Sequence, residues 1–139
     1  MCALLVSGAC VGSARGDTDY QKKAVATSEH VRSSVRTAQL ATQAASEGDA
    51  FEPFLARVIS QAEDDASSAL NSFETIQPPS EAADQLREDV DQISSDAISV
   101  LADARIAIRR GDIESLTALA DLLTKAGDNL EQFGRDHHA

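Results

Sequence analysis

The sequence predicts an all-α protein, an elongated up-down-up-down antiparallel four-helix bundle. Three observations predict it. Apolar and small residues recur at alternating spacings of three and four from Ala24 to Leu130, whereas a strand would alternate at period two. Helix-breaking residues divide that run into four stretches. The breaks are only two to five residues long, which makes consecutive helices antiparallel neighbours.

The first stripe is Ala24, Ser28, Val31, Val35, Ala38, Thr42 and Ala45. Asp17 or Thr18 is placed to cap it, and Gly48 to stop it, since glycine takes the left-handed conformation at a helix end without penalty. The second stripe is Leu55, Ile59, Ala62, Ala66, Ala69, Phe73 and Ile76, preceded by Asp49 and Glu52 in capping-box spacing. Pro53 belongs in the first turn, where a missing N–H costs little. Pro78 and Pro79 follow, and Ser80 is the cap of the third helix. That helix carries Ala83, Leu86, Val90, Ile93, Ala97, Val100, Ala104 and Ala107, with Ile98 and Ile106 facing outward. Gly111 ends it and Asp112 caps the fourth, whose stripe is Ile113, Leu116, Ala120, Leu123, Gly127 and Leu130, with Gly134 as its stop. Helices of about 28 residues would each span roughly 42 Å. A helical hairpin array that swaps into a dimer is the structural alternative.

The stripes differ in strength. The first offers the core only Ala, Ser, Thr and two Val, and burial gains scale with apolar area at about 25 cal/mol per Å², so the first helix is expected to be the loosest. The fourth has a second apolar line, Leu119, Leu122, Ala126 and Phe133. Either it widens the face turned to the core or it forms a strip for a protein partner.

With 139 residues, no Trp, one Tyr and four Phe, the chain makes one domain with little to stack a nucleobase or flavin against. Its net charge of −11 is uneven: residues 11–48 sum to about +1 and the remainder to about −12. Such a surface repels phosphate backbones, so nucleic acid is not an expected partner. Arg supplies nine of the twelve cations and Asp outnumbers Glu by fourteen to nine, a bias that suits a high-GC genome or a salt-adapted proteome.

The first ten residues, Met1-Cys-Ala-Leu-Leu-Val-Ser-Gly-Ala-Cys10, contain an apolar run too short to span a bilayer. They resemble the tail of a bacterial lipoprotein signal, with Ser7, Gly8 and Ala9 before Cys10 as the lipid-attachment site. Ser7 stands where the usual pattern has Leu, and no Lys or Arg precedes Cys10. Export therefore expects an upstream start with a basic segment. Cleavage after Ala9 or Ala14 by an ordinary signal peptidase, or a cytosolic N-terminus, are the alternatives. Residues 1–17 are thus a signal remnant and flexible tether, 18–134 the bundle, and 135–139 a disordered tail.

Candidates for chemistry are few. Glu81, Asp84, Glu88 and Asp91 share one helix face, but a Ca²⁺ site needs convergent ligands from a second element, so a solvated face is expected. Glu63, Asp64 and Asp65 fan around their helix. His30 points outward, and His137 and His138 fall in the tail. There is no Glu-x-x-His motif, haem motif, P-loop or Gly-rich dinucleotide turn. No enzyme activity, cofactor or metal is expected. Lys22, Lys23, Arg32 and Arg36 cluster on the first helix, to pair with acidic neighbours or face anionic lipid.

The turn Phe73-Glu-Thr-Ile-Gln-Pro-Pro-Ser80 and the break Arg110-Gly-Asp112 resemble those of small secreted or lipid-anchored bacterial helical-bundle proteins of unassigned function. The resemblance covers about half the chain and implies fold and location, not a reaction. The function expected is that of a non-enzymatic extracytoplasmic bundle, lipid-anchored and acting as an envelope-associated binding module, monomeric or weakly dimeric. The alternative is a cytosolic interaction or regulatory bundle that binds a partner through its last helix.

Overall fold

The computed structural model describes residues 14–48 and 51–138. It is built of four helices, α1 (Asp17–Glu47), α2 (Glu52–Glu74), α3 (Glu81–Arg109) and α4 (Ile113–Asp136), with no strand among the described residues. The fold is all-α and compatible with a helical bundle.

Turn chemistry accounts for most helix ends. Gly48 closes α1 in the left-handed region at φ 72°. Pro53 sits in the first turn of α2. Ser80 caps α3 by accepting from the Ala83 amide. Asp112 caps α4, taking hydrogen bonds from both the amide and the hydroxyl of Ser115. Those bonds hold its carboxyl below the usual carboxylate range.

Three helix ends differ from expectation. The N-cap of α1 is Gly16, and Asp17 is already helical. The Asp17 carboxylate instead accepts a hydrogen bond from the Ser80 hydroxyl, tying the start of α1 to the start of α3. Asp49 lies outside the described residues, and the N-cap position of α2 falls on Phe51, with no side-chain cap. Gly134 does not stop α4. The helix continues to Asp136, and the His137 amide bonds the Phe133 carbonyl. A glycine inside a helix costs only about 1 kcal/mol, less than the packing of Phe133 and the stacking of His137 upon it can return.

The stripes on α1 and α2 are the buried faces. Ala24, Ser28, Val31, Val35, Ala38 and Thr42 are all shut from solvent, as are Leu55, Ile59, Ala62, Ala66 and Phe73, while outward Leu40 is 68% exposed. On α3 five of the eight seam residues, Ala83, Val90, Ala97, Ala104 and Ala107, are buried, and the buried face broadens to take in Ser94, Leu101 and Ile108, while Leu86, Ile93 and Val100 are half-buried. Ile98 packs partly against the core rather than facing outward. The cause is that α3 contacts α1, α2 and α4, so its buried arc is wider than a two-partner seam. Ile113, the first residue of α4, is exposed.

Two apolar clusters run through the molecule. One is aromatic: Tyr20, Phe73 and Phe133 with Ala24, Val25, Leu70, Ala83 and Val90. The Tyr20 and Phe73 rings sit 5.1 Å apart at a 48° tilt, within the favourable range for aromatic pairs. The other is aliphatic and draws on all four helices, with Val31, Val35, Ile59, Leu101, Leu116 and Leu123 at its centre. Ile93 and Ile98 lie against both.

Helix α1 contacts all three other helices, and α1 and α3 meet directly, whereas no close α2–α4 contact occurs among the described residues. The weak stripe is therefore the central one. Small side chains bury little area each, but they let α1 approach α3 closely, and the contact is made by proximity rather than bulk. The hydroxyls of Tyr20, Thr42 and Ser94 are buried without a hydrogen-bond partner among the described residues, and burial raises the Tyr20 pKa. An unpaired buried hydroxyl costs about 1–3 kcal/mol. Ser94→Ala and Tyr20→Phe are therefore expected to leave stability unchanged or raise it in urea unfolding. A loss above about 1 kcal/mol for either would show that the hydroxyl has a partner essential to the core.

Candidate functional site

No helix of the described residues is long and apolar enough to cross a membrane, and no group of three or more His, Cys, Asp or Glu among them is placed to hold a metal ion. What the side chains build instead is a set of helix–helix seams, some closed by polar contacts and some open.

The seam between α1 and α4 is bridged by polar contacts, with two smaller depressions of about 220 and 230 Å³ beside Glu29 and His138. Arg32 bonds Glu131 at 2.6 Å, and Arg36 lies 3.6 Å from Glu131 and 3.8 Å from Asp128. Gln39 donates to the Thr124 hydroxyl, and Gln21 to the His137 carbonyl. The basic residues Arg32 and Arg36 thus pair with α4, while Lys23 pairs with Asp19 on its own helix. Each such surface pair contributes little to stability, but together they cover this flank of the core. On the α2–α3 side, Arg105 bonds Glu63, and Arg87 donates to the Glu74 carbonyl.

The second apolar line of α4 divides. Phe133 is 7% exposed and belongs to the aromatic cluster. Ala126 and Leu119 pack partly against the aliphatic core. Leu122 is 48% exposed. Leu119 also lines a depression of about 320 Å³ between α3 and α4, beside Ile106, Arg110 and Ala118. The four residues therefore do not form one exposed strip. What remains at the surface is a small corner of Ile106, Leu119 and Leu122. Cys10 lies outside the described residues.

The carboxylates Glu81, Asp84 and Glu88 are exposed on α3, and Asp91 is half-buried. Asp91 faces Glu74 at the end of α2, and the Glu74 pKa is raised. Burial contributes most, followed by the hydrogen bond and negative charge of Asp91, with Arg87 opposing. His137 is not in a loose tail. Its ring stacks on Phe133 at 4.3 Å, and its Nδ1 is 2.9 Å from the Phe133 carbonyl oxygen.

One surface escaped the sequence reading. Between α1 and α2 lie two open cavities of about 560 and 520 Å³. Both are lined by His30 and Asp65, so they form one continuous groove. From Lys23 to Thr37 it runs about 21 Å along α1. Half of its lining is small residues such as Ala26, Ser33, Ser68 and Ser72, with Phe54 standing 61% exposed at one end. The signal was present in Phe54, Arg57, Gln61, Asp65 and Ser68, which repeat at helical spacing one or two positions beside the buried stripe. It was hidden because polar residues at that spacing usually mark a solvated face.

No known protein family, curated protein or solved structure matches the chain.

Because the folded state raises the Glu74 pKa, ionisation of Glu74 disfavours folding. The penalty is present above the folded-state pKa and vanishes as pH falls below the ordinary carboxylate range, where Glu74 is protonated in both states. Glu74→Gln is therefore expected to raise the melting temperature at neutral pH, by an increment that shrinks towards acid. An increment that is constant or grows on acidification would contradict the Glu74–Asp91 opposition.

Proposed function

We propose that the chain is an elongated up-down-up-down antiparallel four-helix bundle that serves as a non-enzymatic binding module outside the cytoplasm, held at the envelope by lipid on Cys10. Side-chain pairings support the topology. Along α1 and α4 the partners run Gln21 with His137, Arg32 with Glu131 and Gln39 with Thr124. Along α2 and α3 they run Ser60 with Arg109, Glu63 with Arg105 and Glu74 with Arg87. In both sets one number rises as the other falls, as it must between antiparallel neighbours.

The observation that carries the anchoring is the junction at the N-terminus. Ser7-Gly8-Ala9 precedes Cys10, and the first helical residue, Asp17, follows only seven positions later. A lipid there leaves the clusters that bury the core untouched, apart from Ala14, which packs on the aromatic one. Lys22 and Lys23 lie within the first two turns of α1 and would supplement acyl chains at an anionic surface. The exposed corner of Ile106, Leu119 and Leu122 supplies an apolar contact for a protein partner.

Expressed behind a signal sequence with a basic segment, the wild-type chain is expected to label with palmitate and partition into detergent. Cys10→Ser should abolish both and release a soluble bundle with an unchanged helical circular dichroism spectrum. A wild-type chain that is exported yet unlabelled would refute the anchor. A chain that stays in the cytosol would replace this reading with that of a cytosolic interaction bundle working through its last helix.

A further inference from the structure

The α1–α2 groove is open, yet its outer wall has an order that a solvated face does not need. On α2, Phe54, Arg57, Gln61, Asp65 and Ser68 fall on one side of the helix. Gln61 is the midpoint. Arg57 and Asp65 lie four residues to either side of it, and Phe54 and Ser68 seven. The arrangement pairs opposites about that centre: a cation with a carboxylate, and the exposed ring of Phe54 with a cavity lined by Ser68, Ala69, Ser72, Ala26 and Thr27. The two cavities meet at His30 and Asp65, about one helical turn beyond Gln61, which lines the first of them.

A two-fold interface requires this property. In an isologous contact, residue i meets j of the second copy while j meets i. We infer that the groove is a homodimer interface, in which α2 of one copy lies antiparallel on α2 of the other about a two-fold axis through Gln61. Arg57 of each copy then faces Asp65 of the other, and each Phe54 enters the cavity of about 520 Å³ beside Ser68 in the opposite copy, where Phe73 and Ile76 offer it apolar contact. The small residues lining the groove let the helices approach to the usual 8–10 Å or so. Among the described residues Arg57 and Asp65 form no ion pair within one chain; Asp65 accepts only from Gln61 on its own helix.

The inference is independent of the location proposed above. It carries one geometric consequence for it: the two-fold sets the two N-termini at opposite ends of the pair. Both anchors then reach the same membrane only with the helices lying along it.

The test uses the full chain in reducing buffer, so that Cys2 and Cys10 form no intermolecular disulfide, with moderate salt to screen the repulsion between two acidic copies. Sedimentation equilibrium should show a monomer–dimer system with a Kd of about 10–100 µM, as suits a contact below standard interface size. Arg57→Asp and Asp65→Arg should each weaken it by about tenfold or more, since each sets like charges opposite one another twice. Mixing the two variants should restore a heterodimer, because one copy then offers carboxylates at both positions and the other offers cations. Phe54→Ser should weaken association while leaving the melting temperature within a degree or two or so. A chain still monomeric near 1 mM or so would overturn the inference and leave the groove to a different partner. A dimer indifferent to both charge substitutions, or a mixture that fails to reassociate, would place any contact on another face and overturn it equally.

Discussion

The packing of this molecule turns on the direct meeting of α1 and α3, the two helices that each contact all three others. Ala24, Ser28, Ala38 and Thr42 on one helix and Ser94, Ala97 and Ala104 on the other are buried, and the two helices touch directly while α2 and α4 do not. Large residues on this diagonal would hold the backbones apart and open voids that Leu and Ile from the flanks would have to fill. With Ala, Ser and Thr there, many weak dispersion contacts form at short range. Bulk comes from all four helices: Tyr20, Val31 and Val35 on α1, Leu101 and Ile108 on α3, Leu55, Ile59 and Phe73 on α2, and Leu116, Leu123 and Leu130 on α4. The cost is visible in the same place, in the unpartnered hydroxyls of Thr42 and Ser94.

That diagonal also decides where surface is left over. Since α2 and α4 are kept apart, each meets α1 along its own seam, and the two seams are finished differently. Toward α4, long side chains from both helices reach across and pair: Arg32, Arg36, Gln39, Asp128 and Glu131. Toward α2, many outer residues are short, Ser33, Thr37, Ser68 and Ser72 among them, and among the described residues no side-chain pair bridges the gap, so a groove remains. The candidate binding surfaces are by-products of helix placement, differentiated by side-chain length.

The helices themselves were plain in the sequence because local rules govern them. Gly48, Pro53, Ser80, Gly111 and Asp112 act through their own backbone geometry or a hydrogen bond three residues away, and the apolar spacing sets which side of α1 and α2 is buried. Features that depend on a distant partner were not plain. Asp17 has good capping chemistry, but its carboxylate accepts from Ser80, 63 residues on. Gly134 looks like a stop, yet contacts made by Phe133 and His137 carry the helix past it. The rank of α1 was misjudged because side-chain size measures area and not separation. Of the second apolar line on α4, periodicity placed all four residues on one flank, and only the positions of α1 and α3 decide that Phe133 turns inward while Leu122 does not. The groove was the hardest to see, since small polar residues at helical spacing look alike whether they face water or an empty cleft.

The measurement that bears most directly on this account is the stability of Ala97→Leu by urea unfolding. Ala97 is fully buried within the aliphatic cluster on α3. If the fold rests on close approach of small residues, the added methylenes must force the helices apart. Stability should then fall by about 1–3 kcal/mol despite the gain in apolar volume. If the variant is as stable as the wild type or more so, the core has room at its centre, and the small residues of α1 and α3 are not what sets the packing of the other helices.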